Sequence, residues 1–147
     1  ISLAGFNSSD TVLIIGSSTG YSSAILSNIA ETVISIEEDD QLVNFSETIA
    51  LDKKIDNVVF LKKDLNEGCP EHGPFNKILI EGAVEDIPNY LFEQLDENGK
   101  MIAIIANGDL SEVREYNKVG ENIGSKFLFN CEAPKLKAFN KTDSFNF

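Results

Sequence analysis

Long apolar runs are missing from this sequence: none approaches the ~18 to 20 residues needed to span a bilayer, and no basic stretch followed by an apolar segment opens the chain as a secretory signal would. These absences predict a soluble, cytoplasmic protein with no membrane partner. Basic residues are scarce as well, with 12 Lys and Arg against 24 Asp and Glu and a formal net charge of −12. Binding by counterion release needs clustered cations to neutralise phosphates, so nucleic acid is excluded as a partner. Cysteine occurs only twice, as Cys69 and Cys131, too few for a disulfide scaffold in a chain this long. Cys69 and His72 have a ligand-like spacing in "EGCPEHGP", but a closed zinc site requires four ligands and no second pair is near, so no metal is expected. With a single histidine, a hydrolytic triad has no support.

What is there is an alternation of β-branched runs and helical stripes. "TVLIIG", Thr11 to Gly16, is the nearly continuous apolar run of a strand buried on both faces of a parallel sheet. A helix is expected from Ser22 to Ile29, capped by Ser22 or Ser23. "TVISIEE" then reads as a second strand, with Asp39 or Asp40 capping a helix through Leu42, Val43, Phe45, Ile49 and Ala50. "NVVFLKKD" and "NKILIEGA" are the third and fourth strands. Pro88 belongs in the first turn of a helix carrying Tyr90, Leu91, Phe92 and Leu95, and "DENGK" supplies a glycine stop before the strand "MIAIIA". Five strands with intervening helices imply an α/β, mostly parallel sheet, and the stretch from Glu112 to Cys131 reads as a closing antiparallel hairpin. No linker or repeat interrupts the chain, so residues 1–147 are expected to form a single domain.

In an open α/β sheet the ligand sits beyond the carboxyl ends of the strands, so the residues just after each strand carry the information. Gly16 permits a sharp exit from the first strand, and Gly20 lets the backbone approach a ligand or the next helix, although such a turn serves packing alone just as well. Glu37 follows Gly16 by 21 positions, close to the ~20-residue spacing at which a carboxylate meets ribose hydroxyls. Its neighbours Glu38, Asp39 and Asp40 leave open that it belongs to a solvated acidic run. Asp64, after the third strand, is placed either to accept from a purine amine or to cap a loop. This spacing does not separate a nicotinamide cofactor from S-adenosylmethionine, since both present an adenosine ribose.

The ordered series "VLIIGSSTGYSSAIL", "VISIEEDDQL", "NVVFLKKDLNEGCPEHGPFNKILIEGAVEDIP" and "LFEQLDENGKMIAII" resembles the consecutive motifs of the protein-L-isoaspartate O-methyltransferase family. "ILIEGAVEDIP" and the tail "FNCEAPKLKAFNKTDSFNF" resemble an alphaproteobacterial branch of it. The resemblance implies a Rossmann-like class I methyltransferase sheet, S-adenosyl-L-methionine as cofactor, and a protein or peptide carboxylate of a damaged, isoaspartyl residue as methyl acceptor. By the same resemblance Gly16, Ser17, Ser18, Gly20 and Tyr21 contact the methionine part, Glu37 the ribose, and Asp64 with Leu65 the adenine. Glu81 faces the reacting methyl and is the candidate catalytic residue.

The family pattern is departed from in four places. Ile14 stands where the family turn has an acidic residue, Ser18 replaces its middle glycine, and Glu81 takes the place of a small hydroxylated residue. The family's amino-terminal region has no counterpart ahead of Thr11, where only "ISLAGFNSSD" stands; the chain opens on Ile1 rather than Met, so an initiator, a tag or a longer leader is expected ahead of it. Two readings of different kind follow: a methyltransferase catalytic domain, or a degenerate fold acting as a weak nucleoside-binding or interaction module.

Overall fold

The computed structural model describes residues 5–140; residues 1–4 and 141–147, which include the end of the tail string quoted above, lie outside the described residues. Seven strands form one sheet in the order β3-β2-β1-β4-β5-β6-β7. The strands are β1 (Thr11–Ile15), β2 (Thr32–Glu37), β3 (Val58–Lys62), β4 (Phe75–Val84), β5 (Leu95–Asn107), β6 (Leu110–Val119) and β7 (Asn122–Cys131). The first five are parallel; β6 runs antiparallel to β5, and β7 to β6. "TVLIIG" and "NKILIEGA" are paired in parallel, Val12 beside Lys77 through Ile15 beside Ile80.

β1 lies at the centre because its side chains are apolar on both faces: Val12, Leu13, Ile14 and Ile15 are all fully buried. Leu13 and Ile15 join Ile34, Ile36, Ile78, Ile80, Phe75 and Met101 on one face. Val12 and Ile14 join Leu26, Ala30 and Val33 on the other. Burying each such side chain stabilises the fold by about 1.5–3 kcal/mol. The helices α1 (Tyr21–Ser27) and α2 (Asp40–Asp52) cover that second face, where Ala24, Ser46 and Ala50 meet Val58 and Phe60. Asp39 caps α2, its carboxylate accepting from the Gln41 and Leu42 amides at 2.8 and 3.4 Å. Phe45, expected on the inner stripe of α2, is half exposed.

One connection of the sheet lacks a helix, and another differs from the sequence expectation. No α-helix joins β3 to β4; two 3₁₀ turns, Leu65–Glu67 and Pro70–His72, do so. Gly68, Pro70, Gly73 and Pro74 crowd this stretch, and glycine and proline oppose helix propagation. The helix after Pro88, α3 (Asn89–Glu93), is short; Pro88 is its N-cap rather than part of its first turn, and Leu95 belongs to β5. Gln94 ends it: its carbonyl accepts from the Phe75 amide at 2.8 Å, and its side-chain amide bridges the Cys69 amide and the Glu67 carbonyl at 2.9 and 3.0 Å. With Leu95 opposite Phe75, "DENGK" becomes an irregular opening of β5 instead of a stop before it. Among the described residues no helix is long and apolar enough to cross a membrane.

Candidate functional site

The carboxyl ends of β1, β2 and β4 meet at the point where the strand order reverses direction, and the turn after β1 is folded around one side chain. Gly16 leaves the strand at φ +81°, and a Cβ there would lie 3.0 Å from the Glu81 carbonyl oxygen and 3.5 Å from Leu136. Ser18 also takes a positive φ, +50°, a conformation that costs an L-residue about 1–2 kcal/mol relative to the right-handed one. In that pose its amide donates to Glu37 Oε2 at 2.9 Å. Glu37 Oε1 accepts from the Glu38 amide at 2.9 Å and from the Asp39 amide at 3.4 Å. Glu37 is half-buried and gathers amides from two loops, whereas Glu38, Asp39 and Asp40 are exposed.

The remaining candidates take distinct places. Ser17 is buried, its amide held by the Ile36 carbonyl at 3.2 Å. Gly20 precedes α1 at φ +79°, and a Cβ there would meet Ser46 Oγ at 2.9 Å, so its lack of a side chain serves the packing of α2. Tyr21 projects into solvent at 74% exposure. Asp64 is exposed and makes no side-chain capping bond to the 3₁₀ turn it precedes, whereas Leu65 is buried and its amide reaches Glu38 Oε1 at 3.3 Å. Ile14, fully buried against Leu26 and Val33, faces the helical layer. Cys69 is enclosed, and burial pushes its thiol up to about 11.

Glu81 ends the run of β4 side chains on the same face as Leu79, bordering an open cleft of about 510 Å³. Apolar side chains of β5 to β7, among them Ile102, Ile104, Val113 and Phe129, line the cleft away from Gly16 and Ser18. Glu81 Oε1 is shut off from solvent without a hydrogen-bond partner. Burial raises its carboxyl above the ordinary carboxylate range, and the Ser22 hydroxyl opposes that rise in part.

Sequence reasoning missed the strap after β7. The Ala83 amide donates to the Pro134 carbonyl and the Leu136 amide to the Ala83 carbonyl, both at 2.8 Å, so this segment adds a short parallel bridge to the end of β4. Gly82, at φ +134°, has no Cβ, and Leu136 fills that space: a Cβ would lie 2.5 Å from Leu136 Cγ. The available signal was the glycine after "ILIE", whose partner lies more than fifty residues away.

The family model for protein-L-isoaspartate(D-aspartate) O-methyltransferase matches residues 1–131. The chain belongs to this family. A relative named protein-L-isoaspartate O-methyltransferase from Jannaschia sp. is 37% identical over 100 residues, which is 68% of this chain and 45% of the relative. One of the same name from Azorhizobium caulinodans is 31% identical over 133 residues, 90% of this chain and 61% of its own length. The chain thus spans about half the length of the curated relatives it matches. A solved protein-L-isoaspartate O-methyltransferase shares the fold with a TM-score of 0.88 at 23% identity, covering 95% of this chain and 46% of that one. A proposed family member from Plasmodium falciparum, solved in complex with S-adenosyl-L-homocysteine, has a TM-score of 0.73 and 28% identity over 90% of this chain and 67% of its own.

Proposed function

We propose that this chain carries the S-adenosyl-L-methionine site of a protein-L-isoaspartate O-methyltransferase and transfers a methyl group to the carboxylate of an isoaspartyl residue in damaged protein, in the cytoplasm. The observation that carries this reading is the Glu37 carboxylate, held at the end of β2 by the amides of Ser18 and Glu38 and paired with a glycine exit at Gly16. Family membership and the Plasmodium relative's bound S-adenosyl-L-homocysteine support it. Nothing in the relatives' names favours the weak nucleoside-binding or interaction module.

The residues present suit such a cofactor. Glu37 Oε2 keeps a lone pair free beyond its bond to the Ser18 amide, and on Oε1 the long 3.4 Å bond from the Asp39 amide is the one that a ribose hydroxyl would replace. Asp64 and Leu65 offer a carboxylate and an apolar wall for the adenine, while Gly16, Ser17, Ser18, Gly20 and Tyr21 form the turn that would hold the methionine part. The cofactor supplies an electrophilic sulfonium methyl. An isoaspartyl carboxylate, with a pKa of about 4, is already ionised at neutral pH, so the chain need not supply a strong base. Its task is to hold the acceptor in line with the methyl and to exclude water, the positioning effect worth several kcal/mol.

Calorimetric titration with S-adenosyl-L-methionine, together with methyl transfer to an isoaspartyl peptide, tests this reading. Glu37→Ala is expected to weaken cofactor binding about tenfold or more, since hydrogen bonds to a charged group contribute about 1.5–3 kcal/mol. Equal affinities for wild type and variant would overturn the ribose assignment, and no binding by either would overturn the function.

A further inference from the structure

The described lining of the cleft beside Gly16 offers no basic side chain to receive an anion. Its lining includes two acids, Glu81 and Glu132, and neither lysine nor arginine among the described residues. The nearby charged groups are engaged elsewhere: Glu37 with the amides of Ser18 and Glu38, and Lys135 with Glu85 at 3.7 Å. From α1 only the Ser22 hydroxyl bears on Glu81, and from β5 the cleft receives Ile102 and Ile104. Two carboxylates brought into contact in such surroundings do not both ionise. A carboxylate acceptor and an ionised Glu81 are therefore incompatible, whereas a neutral Glu81 has one O–H to donate.

We propose, on the methyltransferase reading above, that Glu81 is a positioning residue that enters the acceptor subsite in its neutral form and donates its proton in a hydrogen bond to one oxygen of the acceptor carboxylate. The unpartnered, solvent-excluded Oε1 fits this role, because an ionised carboxylate left without a hydrogen bond in that place is disfavoured. The other acceptor oxygen keeps a free lone pair for attack. An O–CH₃ bond forms as the S–CH₃ bond breaks, and the sulfur keeps the electron pair. Positive sulfonium and negative carboxylate become neutral thioether and neutral ester, so Glu81 neither gains nor loses a proton. Acceptor binding is then tied to protonation of Glu81: as pH rises through its titration, the acidic peptide must bring a proton with it or be repelled.

The test uses the 147-residue chain saturated with S-adenosyl-L-homocysteine, and a short peptide containing one isoaspartate, titrated calorimetrically between about pH 5.5 and 8.5 in buffers of different ionisation enthalpy. Wild type is expected to lose peptide affinity with rising pH, approaching about tenfold per unit, and to take up a proton on binding at the alkaline end. Glu81→Gln, whose amide N–H also donates, is expected to hold the acid-side affinity across the range with no proton uptake. Glu81→Ala should bind about tenfold or more weakly even at the acid end, as a charge-assisted hydrogen bond is lost. Weak binding by Glu81→Gln throughout, or an unchanged pH dependence in it, would overturn the proposal while leaving the methyltransferase reading intact. Melting of wild type against Glu81→Gln without ligands gives a readout that does not depend on the cofactor. A carboxyl with a raised folded-state pKa lends stability below its unfolded value of about 4.3 and loses it as pH rises through the folded value. The glutamine variant should therefore gain on wild type from acid to neutral pH; parallel curves would overturn a neutral Glu81 whatever the cofactor does.

Discussion

Replacing Gly82 with alanine should detach the strap from the sheet. Its φ of +134° lies where side chains are rarely tolerated, a strain of about 1–3 kcal/mol. The added methyl would stand 2.5 Å from Leu136 Cγ and 2.7 Å from its Cδ2, so the leucine must leave. With it go the hydrogen bonds from the Ala83 amide to Pro134 and from Leu136 to the Ala83 carbonyl, each worth about 0.5–1.5 kcal/mol, and part of the burial of Leu136. A loss of about 3–6 kcal/mol is expected, a large share of the ~5–15 kcal/mol typical of a domain. Urea unfolding of Gly82→Ala, Leu136→Ala and the double variant separates the terms. Truncating Leu136 removes the atoms that collide with the new methyl, so in that background Gly82→Ala should cost only the backbone strain, with a coupling of at least ~1 kcal/mol between the sites. Equal costs of Gly82→Ala with and without Leu136 would refute the claim that this side chain occupies the space the glycine leaves.

Ser18→Gly should relieve the positive φ at +50°, stabilising the apo chain by up to about 1 kcal/mol after the added freedom of the unfolded chain is discounted. Thermal melts check this, and a titration with S-adenosyl-L-methionine is expected to show tighter binding; weaker binding would mean that the hydroxyl donates to the ligand. The ion pair of Lys77 with Asp10, 3.2 Å long, has side-chain exposures of 12% and 5%, and Asp10 also holds the Asn7 amide at 2.9 Å. Asp10→Ala should therefore cost about 3–5 kcal/mol by stranding a buried ammonium, measured as a shift in urea midpoint, and a loss under 1 kcal/mol would show that Lys77 finds water. Ile14→Asp is expected to lower the melting temperature sharply, because position 14 is fully buried in the helical-face core. An unchanged melt would place the new carboxylate in solvent.

β1 and β2 were legible because they are buried on both faces and so read as unbroken apolar runs, the edge strand β3 and β4 from their short β-branched stretches, and the hairpin of β6 and β7 because its two stretches flank Gly120. Gly16 and Glu37 stood out because each ends a strand, and the structure brings the turn after Gly16 onto Glu37 through the Ser18 amide, whereas Asp64 is exposed and caps nothing. Leu95 was misplaced because its pairing with Phe75 is a tertiary fact: nothing local distinguishes the last apolar residue of a helix from the first of a strand. The strap was invisible for the same reason, its partners Gly82 and Ala83 being remote in sequence. Ser18 stood out in the sequence for taking the place of a glycine; its left-handed backbone shows what that replacement costs the chain itself.

The place of β1 in the sheet also governs the order in which the molecule can assemble. Its pairing of Val12 with Lys77 closes a loop of about sixty-five residues, whereas β5, β6 and β7 form a meander of near neighbours that requires only short closures. The local meander should thus collapse early, and the β1–β4 seam late. Since Gly16 and Glu81 face each other only across that seam, and the strap needs the finished end of β4 to dock, the proposed ligand edge should be the last part of the chain to acquire its shape. A ligand at this edge would then act on refolding chiefly by slowing unfolding and would leave the early folding rate unchanged.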